Sequence, residues 1–115
     1  MSLPDEVRLR HICDAAREAI HFVQGKSRPD LDSNDMLSLA LVRLLEIIGE
    51  AANGVSPELR EKYPAIHWTG MTGMRNWLIH GYFDVNLDIV WQTVTKDLPP
   101  LAAQIERVLR ESVEN

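Results

Sequence analysis

Four polar side chains whose types could act on a phosphate fall within the eight residues RNWLIHGY, positions 75–82. They are Arg75, Asn76, His80 and Tyr82. Histidine titrates near neutral pH and can move a proton, while arginine is a permanent, forked cation that matches phosphate oxygens. Asparagine and tyrosine can hydrogen-bond a phosphate or the edge of a base. Metal-free RNA cleavage needs a base for the ribose 2′-hydroxyl, an acid for the leaving oxygen and a cation on the phosphate, and these types could supply them.

The spacing of these residues does not bring them to one point on a single helix. Helix positions turn by about 100° per residue, so Asn76 and His80, four apart, share a face. Arg75 and His80 are five apart and therefore separated by about 140°. A break at Gly81, or a second copy of the strip across a two-fold axis, could close the gap. Polar residues near a helix end also serve as caps and dipole partners, and spacing alone favours that interpretation.

Apolar residues elsewhere recur at three- and four-residue steps, and no segment alternates as a strand would. The pattern predicts an all-α, up-and-down bundle of four or five helices. Gly81 is expected to end the motif helix, and Pro99 and Pro100 to kink or break the last one. The predicted helices run from cap Ser2 to near Gly25, from cap Ser33 or Asn34 through MLSLALVRLLEIIGEAANGV, from Ser56 to Pro64, from about Met71 to His80, and onward from cap Asp84 or Asn86.

The length of 115 residues fits one domain, residues 1–115. The net charge of −5 argues against a protein that binds nucleic acid generally along its length, because such a protein would be basic. Residues 60–80 nevertheless hold three basic side chains against one acidic one. No apolar run approaches the ~18 residues of a membrane span, and the first residues do not read as a signal peptide. We therefore expect a soluble, cytoplasmic protein without a membrane partner.

Several other residues are candidates for ordinary structural roles. Cys13, the one cysteine, lies within an apolar helical pattern and is expected in the core, and no metal-ligand spacing occurs. With no phosphate-binding loop either, we expect no metal and no cofactor. His11 and His21 read as surface residues. Trp77 and Trp91 are expected in the core.

For a second group of residues, the spacing does not decide between a structural role and a role in a site. Glu46 is expected to be solvated and paired with Arg43, whereas Glu50 could also face a polar seam. Trp68 precedes two glycines and could line a cleft. His67 is a weaker candidate for contact with a substrate.

The stretch MRNWLIHGYF is similar to the signature of the HEPN superfamily, which is arginine, four to six residues, histidine, any residue and tyrosine. Arg75, His80 and Tyr82 fill that pattern, with Gly81 at the free position. The flanking stretches LLEIIGEAAN, IHWTGMTGMRN and YFDVNLDIVWQTVTKDLPPL resemble the HepT-like toxins, one branch of the superfamily. The resemblance covers about residues 5 to 110.

The resemblance implies a HEPN-like bundle that dimerises with the motifs facing each other in a cleft. Many such proteins are metal-independent endoribonucleases, and HepT-like members are toxins of toxin–antitoxin systems (type II or type VII). Each is paired with a small nucleotidyltransferase antitoxin, the HepT/MntA or HEPN–MNT pair. The antitoxin can transfer AMP to the motif tyrosine and so silence the toxin.

Carried onto this chain, the resemblance makes His80 the proton-transfer residue and Arg75 the phosphate clamp. Asn76 becomes a polar support, and Tyr82 both a site residue and the target of adenylylation. The implied partners are an RNA substrate (tRNA or mRNA), the antitoxin and a second copy of the chain, without DNA.

Two other functions compete with the nuclease. A non-catalytic HEPN module could use the same residues to bind a nucleotide or a partner protein, and a plain structural dimer would not use them at all. The complete motif favours the nuclease, because non-catalytic relatives often lose the histidine or the arginine.

Overall fold

The computed structural model describes residues 1–80 and 85–114, apart from the side chains of Arg75, residues 77–80 and residues 113–114. Every regular element within these residues is helical, which confirms the all-α prediction. Four long helices form the bundle, and three short ones connect them. The helices are α1 (Leu3–Val23), α2 (Asp30–Ser33), α3 (Asp35–Asn53), α4 (Pro57–Lys62), α5 (Trp68–His80), α6 (Leu87–Gln92) and α7 (Leu98–Glu114), with a π-helical turn (Thr93–Asp97) between α6 and α7.

Side-chain caps start four of these helices. In each, a hydroxyl or amide oxygen accepts a hydrogen bond from a backbone N–H two or three residues later, one of the donors that a helix start leaves unpaired. The predicted caps at Ser2 and Ser56 are confirmed, and Asn34 and Asn86 are the caps where the sequence left two choices. The first helix ends just before Gly25, whose φ of 74° is in the left-handed region that glycine tolerates.

Two helices differ from the sequence prediction because a side chain buried against the rest of the chain stabilises helical backbone where none was predicted. The segment between the first two predicted helices, for which no helix was predicted, contains α2, in which Leu31 is only 1% exposed. Helix α5 begins at Trp68, three residues before the predicted start at Met71. Trp68 is 6% exposed, and its Nε1 donates to the Tyr63 carbonyl at 3.0 Å, so both glycines that follow are held inside the helix.

The irregularity that Pro99 and Pro100 were expected to introduce into the last helical segment is present at Thr93–Asp97, between the two parts of that segment. Both prolines lie in the first turn of α7, where a missing N–H does little harm. The irregularity falls just upstream, in the π turn, where the Leu98 N–H donates to the Thr93 carbonyl five residues earlier. The two prolines cannot donate to the carbonyls of Thr95 and Lys96, so the regular α-pattern cannot run through this point.

The core forms where the long helices pack in series. Helix α5 packs on α3, α3 on α1, and α1 on α7, so α5 and α7 lie at the two edges of the series. Cys13 is 8% exposed and lies in the core as predicted. Fully buried side chains from three helices meet at the centre: Leu9, Ile12, Leu41, Leu45, Ile48 and Ile105. Among the described residues, no helix is long and apolar enough to cross a membrane.

Candidate active site on helix α5

Helix α5 carries three of the four residues that the sequence predicted for the site. Arg75 and Asn76 lie in its second half, and His80 is its last residue. Tyr82 lies two residues beyond the helix and outside the described residues, as does the expected stop at Gly81. The predicted site residues therefore lie in the C-terminal half of α5 and just beyond its end.

The two faces of α5 are clearly different in the part whose side chains are described. The inner face packs against α3 and the core through Trp68, Met71 and Met74, each at most 9% exposed. Asn76 is exposed on the other side. Position 80, four residues further, falls on the same outward face as Asn76.

Position 75 does not share that face. It follows the buried Met71 by four residues, which is about 40° around the helix axis. Position 75 is also seven residues after the buried Trp68, about 20° around the axis. The regular helix therefore brings positions 76 and 80 together and leaves position 75 on the side of the buried residues. Within one chain, positions 75 and 80 therefore remain about 140° apart around the helix axis, as their spacing predicted.

Gly73 leaves the outward face of α5 open at its middle. A β-carbon added there would meet no atom within 4 Å. Glycine inside a helix lowers stability by about 1 kcal/mol relative to alanine, and no close packing against the described residues accounts for it. Gly73 is half-buried, and its neighbours Thr69 and Asn76 are exposed on the same side of the helix.

The N-terminal end of α5 has a different arrangement. His67 is exposed, and a β-carbon at Gly70 would lie 2.6 Å from its Nδ1, so the imidazole sits directly on the first turn of the helix. The hypothesis that Trp68 lines a cleft was wrong, because its indole is buried in the core. Trp91 is half-buried against the core, as expected, and the side chain of Trp77 lies outside the description.

The chain that follows the motif is anchored by an arginine that the sequence did not single out. Arg28 Nε donates to Asp88 Oδ1 at 2.6 Å, which ties the α1–α2 connection to the first turn of α6. Asn86 caps the same turn. The two partners are 60 residues apart and carry no local signal, so only the folded chain reveals the contact.

The remaining charged candidates lie apart from α5. Arg43 donates to Glu46 at 3.2 Å on the surface, as predicted for this pair. Glu50 is exposed beside Val7 and Ile47 in a groove between α1 and α3. His11 and His21 are on the surface, as expected. Within residues 1–80 and 85–114, no group of three His, Cys, Asp or Glu side chains is placed to hold a metal ion.

Comparison with known proteins places the chain among ribonuclease-named relatives. It is 41% identical over 103 residues to "Putative RNase TTE0752" of Caldanaerobacter subterraneus subsp. tengcongensis, covering 90% of this chain and 92% of that protein. It is 35% identical over 95 residues to "Probable ribonuclease HepT" of Thermococcus cleftensis, covering 79% and 86%. A comparison with solved structures finds no significant match.

The family model described as ribonuclease HepT-like matches residues 12–108, which includes α5, the whole motif and most of α7. The chain therefore belongs to the HepT-like family of ribonucleases, within the HEPN superfamily.

Proposed function

We propose that this protein is a metal-independent endoribonuclease whose active site forms between two copies of the chain. The observation that carries the proposal is the complete Arg-x4-His-x-Tyr pattern at positions 75–82, with Asn76 and position 80 on the outward face of α5. The open backbone at Gly73 supports it, because a second helix or an RNA strand can approach this face closely. Family membership supports the ribonuclease activity.

The proposed chemistry uses the two histidines of a dimer in different roles. One His80 takes the proton from a ribose 2′-hydroxyl, and the 2′-oxygen attacks the adjacent phosphorus. The bond from phosphorus to the 5′-oxygen breaks, and the second copy's His80 returns a proton to that leaving oxygen. The products are a 2′,3′-cyclic phosphate and a 5′-hydroxyl, so protons and bonds balance.

Arg75 has the electrostatic role in this proposal. The attack on phosphorus gathers negative charge on the phosphate oxygens, and a guanidinium can hold two of them at once. Positions 75 and 80 are separated by about 140° on one helix, so the phosphate contact and the proton transfer are best met from facing helices. Asn76 supports the phosphate or a base through its exposed amide.

Tyr82 is the proposed point of control. We propose that the protein is the toxin of a toxin–antitoxin pair and that a nucleotidyltransferase antitoxin transfers AMP from ATP to the tyrosine oxygen, releasing pyrophosphate. The added phosphate would place negative charge and bulk two residues from His80, where it repels and blocks an RNA phosphate.

Cleavage of RNA by the purified protein in EDTA tests the nuclease proposal. Wild type should cut single-stranded RNA or tRNA and leave cyclic phosphate ends, and His80→Ala should not. His21→Ala is the matched control, because His21 is an exposed histidine on another helix. Intact RNA after incubation with unmodified wild type would overturn the proposal, and tight binding without cleavage would favour a non-catalytic module.

Mass spectrometry after co-expression with a minimal nucleotidyltransferase, taken from the open reading frame next to this chain's gene if one is encoded there, tests the control proposal. The chain has two tyrosines, so Tyr63→Phe is a matched control for Tyr82→Phe. We expect added AMP on wild type and Tyr63→Phe and none on Tyr82→Phe. An unchanged mass of the wild-type protein would refute adenylylation.

A further inference from the structure

A cavity of about 510 Å³ lies between the first half of α5 and the π turn with the start of α7. It lies in the seam between α5 and α7, the two edges of the packed series of helices. Its volume is within the ~300–1,000 Å³ that is typical of sites for small ligands. Neither the motif nor the family comparison assigns it a role.

The floor of the cavity is apolar. Met71 and Met74 form it from α5, and Leu98 and Leu101 from α7, all at most 9% exposed. Methionine thioethers are polarisable and make favourable contacts with aromatic rings. A flat heterocycle therefore has a surface here on which to lie.

The rim of the cavity carries hydrogen-bonding groups of both kinds. Lys96 and Asp97 stand on the π turn, and Gln104 on α7. A lysine donates, a carboxylate accepts and an amide does both, which are the groups that read the edge of an unpaired base. The cavity thus combines an apolar floor with a mixed polar rim, as expected of a base site rather than of a site for a bare phosphate.

His67 forms one wall of the cavity, and Gly70 determines where it sits. The imidazole lies so close to Gly70 that a β-carbon there would meet Nδ1 at 2.6 Å. Glycine at position 70 is therefore required for this placement of the ring. An aromatic side chain held at the edge of an apolar floor is suited to stacking on a base.

The cavity is close to the motif along α5. Met74 directly precedes Arg75, and Met71 is four residues before it, a rise of about 6 Å along the helix. That distance is roughly two base steps of a stacked strand at about 3.4 Å each. A strand whose phosphate contacts Arg75 could therefore place a neighbouring base in the cavity.

We propose that this cavity binds one base of the RNA substrate, one or two nucleotides from the phosphate that Arg75 contacts. The inference rests on the proposed function and extends it, because the site would set which sequences are cut. Single-stranded RNA is the class of ligand that fits, since its bases are free to leave the stack.

Binding of a single-stranded RNA that is 2′-O-methylated throughout, and so cannot be cut, tests the site directly. Gly70→Ala should displace His67 and raise the Kd about tenfold, in the range expected for one stacked base. The thermal midpoint should not fall, because alanine favours the helix. In a His67→Ala background, Gly70→Ala should have no further effect on the Kd.

Lys96→Ala and Gln104→Ala extend the test to the rim. Each should weaken binding several-fold, whereas Lys26→Ala and Gln24→Ala, exposed residues near the end of α1, should not. With a randomised RNA pool, wild type should prefer one base at a fixed distance from the cleaved bond. Gln104→Ala should weaken that preference, and it should still cleave the same bond between phosphorus and the 5′-oxygen.

The outcomes separate this inference from the proposed function. If wild type cuts RNA but no cavity variant changes the Kd or the base preference, the base site is overturned and the nuclease remains. If wild type binds the methylated RNA through the cavity but cuts none of the unmodified RNA, the nuclease proposal fails and the base site stands. If it neither binds nor cuts, both are refuted.

Discussion

Arg28 Nε donates to Asp88 Oδ1 at 2.6 Å and so joins the α1–α2 connection to the first turn of α6. Asp88 lies six residues after Tyr82, and Asn86 caps the turn of α6 that contains Asp88. This contact places one end of the connection that carries the tyrosine, while α5 places the other. Arg28 is therefore a positioning residue in the proposed function.

The Arg28–Asp88 contact predicts that reversing one charge impairs the site more than it destabilises the fold. Arg28→Asp should lower RNA cleavage several-fold with little change in the thermal midpoint, because both partners are on the surface. The double variant Arg28→Asp/Asp88→Arg should restore most of the cleavage. A single variant that cuts RNA as fast as wild type would show that the contact does not position the site.

The role proposed for Arg75 predicts that lysine cannot replace it. Lysine keeps the charge but loses the planar fork that holds two phosphate oxygens. We expect Arg75→Lys to lower kcat/KM at least tenfold, with an unchanged circular dichroism spectrum. Arg107→Lys, an exposed arginine on α7, is the control and should cleave normally. Equal activity of the two variants would argue against a bidentate contact at position 75.

Gly73 predicts opposite effects on stability and activity. Gly73→Ala should raise the free energy of unfolding by roughly 0.5–1 kcal/mol, because alanine favours the helix and its methyl group meets no atom within 4 Å. If the outward face of α5 is the cleft, the same methyl group should hinder approach and lower cleavage. Chemical denaturation and an RNA cleavage assay measure the two effects. Unchanged cleavage would place the cleft elsewhere on the protein.

Asp5 predicts a pH-dependent contribution to stability. Burial raises the pKa of its carboxyl, but hydrogen bonds from the Ser56 hydroxyl and N–H outweigh burial and hold the pKa below its ordinary 3.8. The stabilisation is therefore present above about pH 4 and is lost as the pH falls through the lowered value.

Asp5→Asn should accordingly lower the free energy of unfolding by about 1–2 kcal/mol at pH 7, since a charged hydrogen-bond acceptor is lost. Urea titrations should show the difference from wild type shrinking below about pH 4. The exposed Asp14→Asn is the control on the same helix. A constant difference at all pH values would contradict the assignment.

Cys13 should be inert in the folded protein. Burial first, and then the carboxylate of Glu106, which accepts from its Sγ at 3.6 Å, raise the pKa of the thiol from 9.0 to about 11. At pH 8 the thiolate fraction is then about a hundredfold lower than at the ordinary pKa, and the thiolate is the reactive form. Alkylation with iodoacetamide should be at least that much slower in buffer than in denaturant. Comparable rates would mean that the site opens readily.

The starts of the helices with side-chain caps were predictable from the sequence, to one residue or to a choice of two, because a cap depends on neighbours in the chain. A serine or asparagine cap needs only a backbone N–H two or three residues later, so Ser2 and Ser56 could be recognised without a tertiary partner. The apolar periodicity likewise predicted the all-α class.

Tertiary packing decided the features that depend on residues far apart. Trp68 lies in the core because its indole donates to the Tyr63 carbonyl and packs in the interior. The two glycines near it in the sequence had suggested that it could line a cleft. The irregularity expected at Pro99 and Pro100 appears upstream as a π turn.

The sequence by itself determined the chemistry that positions 75–82 can perform and the helix on which most of them lie, because residue type and local periodicity are enough for both. Only the tertiary structure decided which face of α5 is buried, that Arg28 reaches Asp88, and that a cavity opens beside Met74. These features follow from how helices from distant parts of the chain pack against one another, and no short stretch of sequence contains that information.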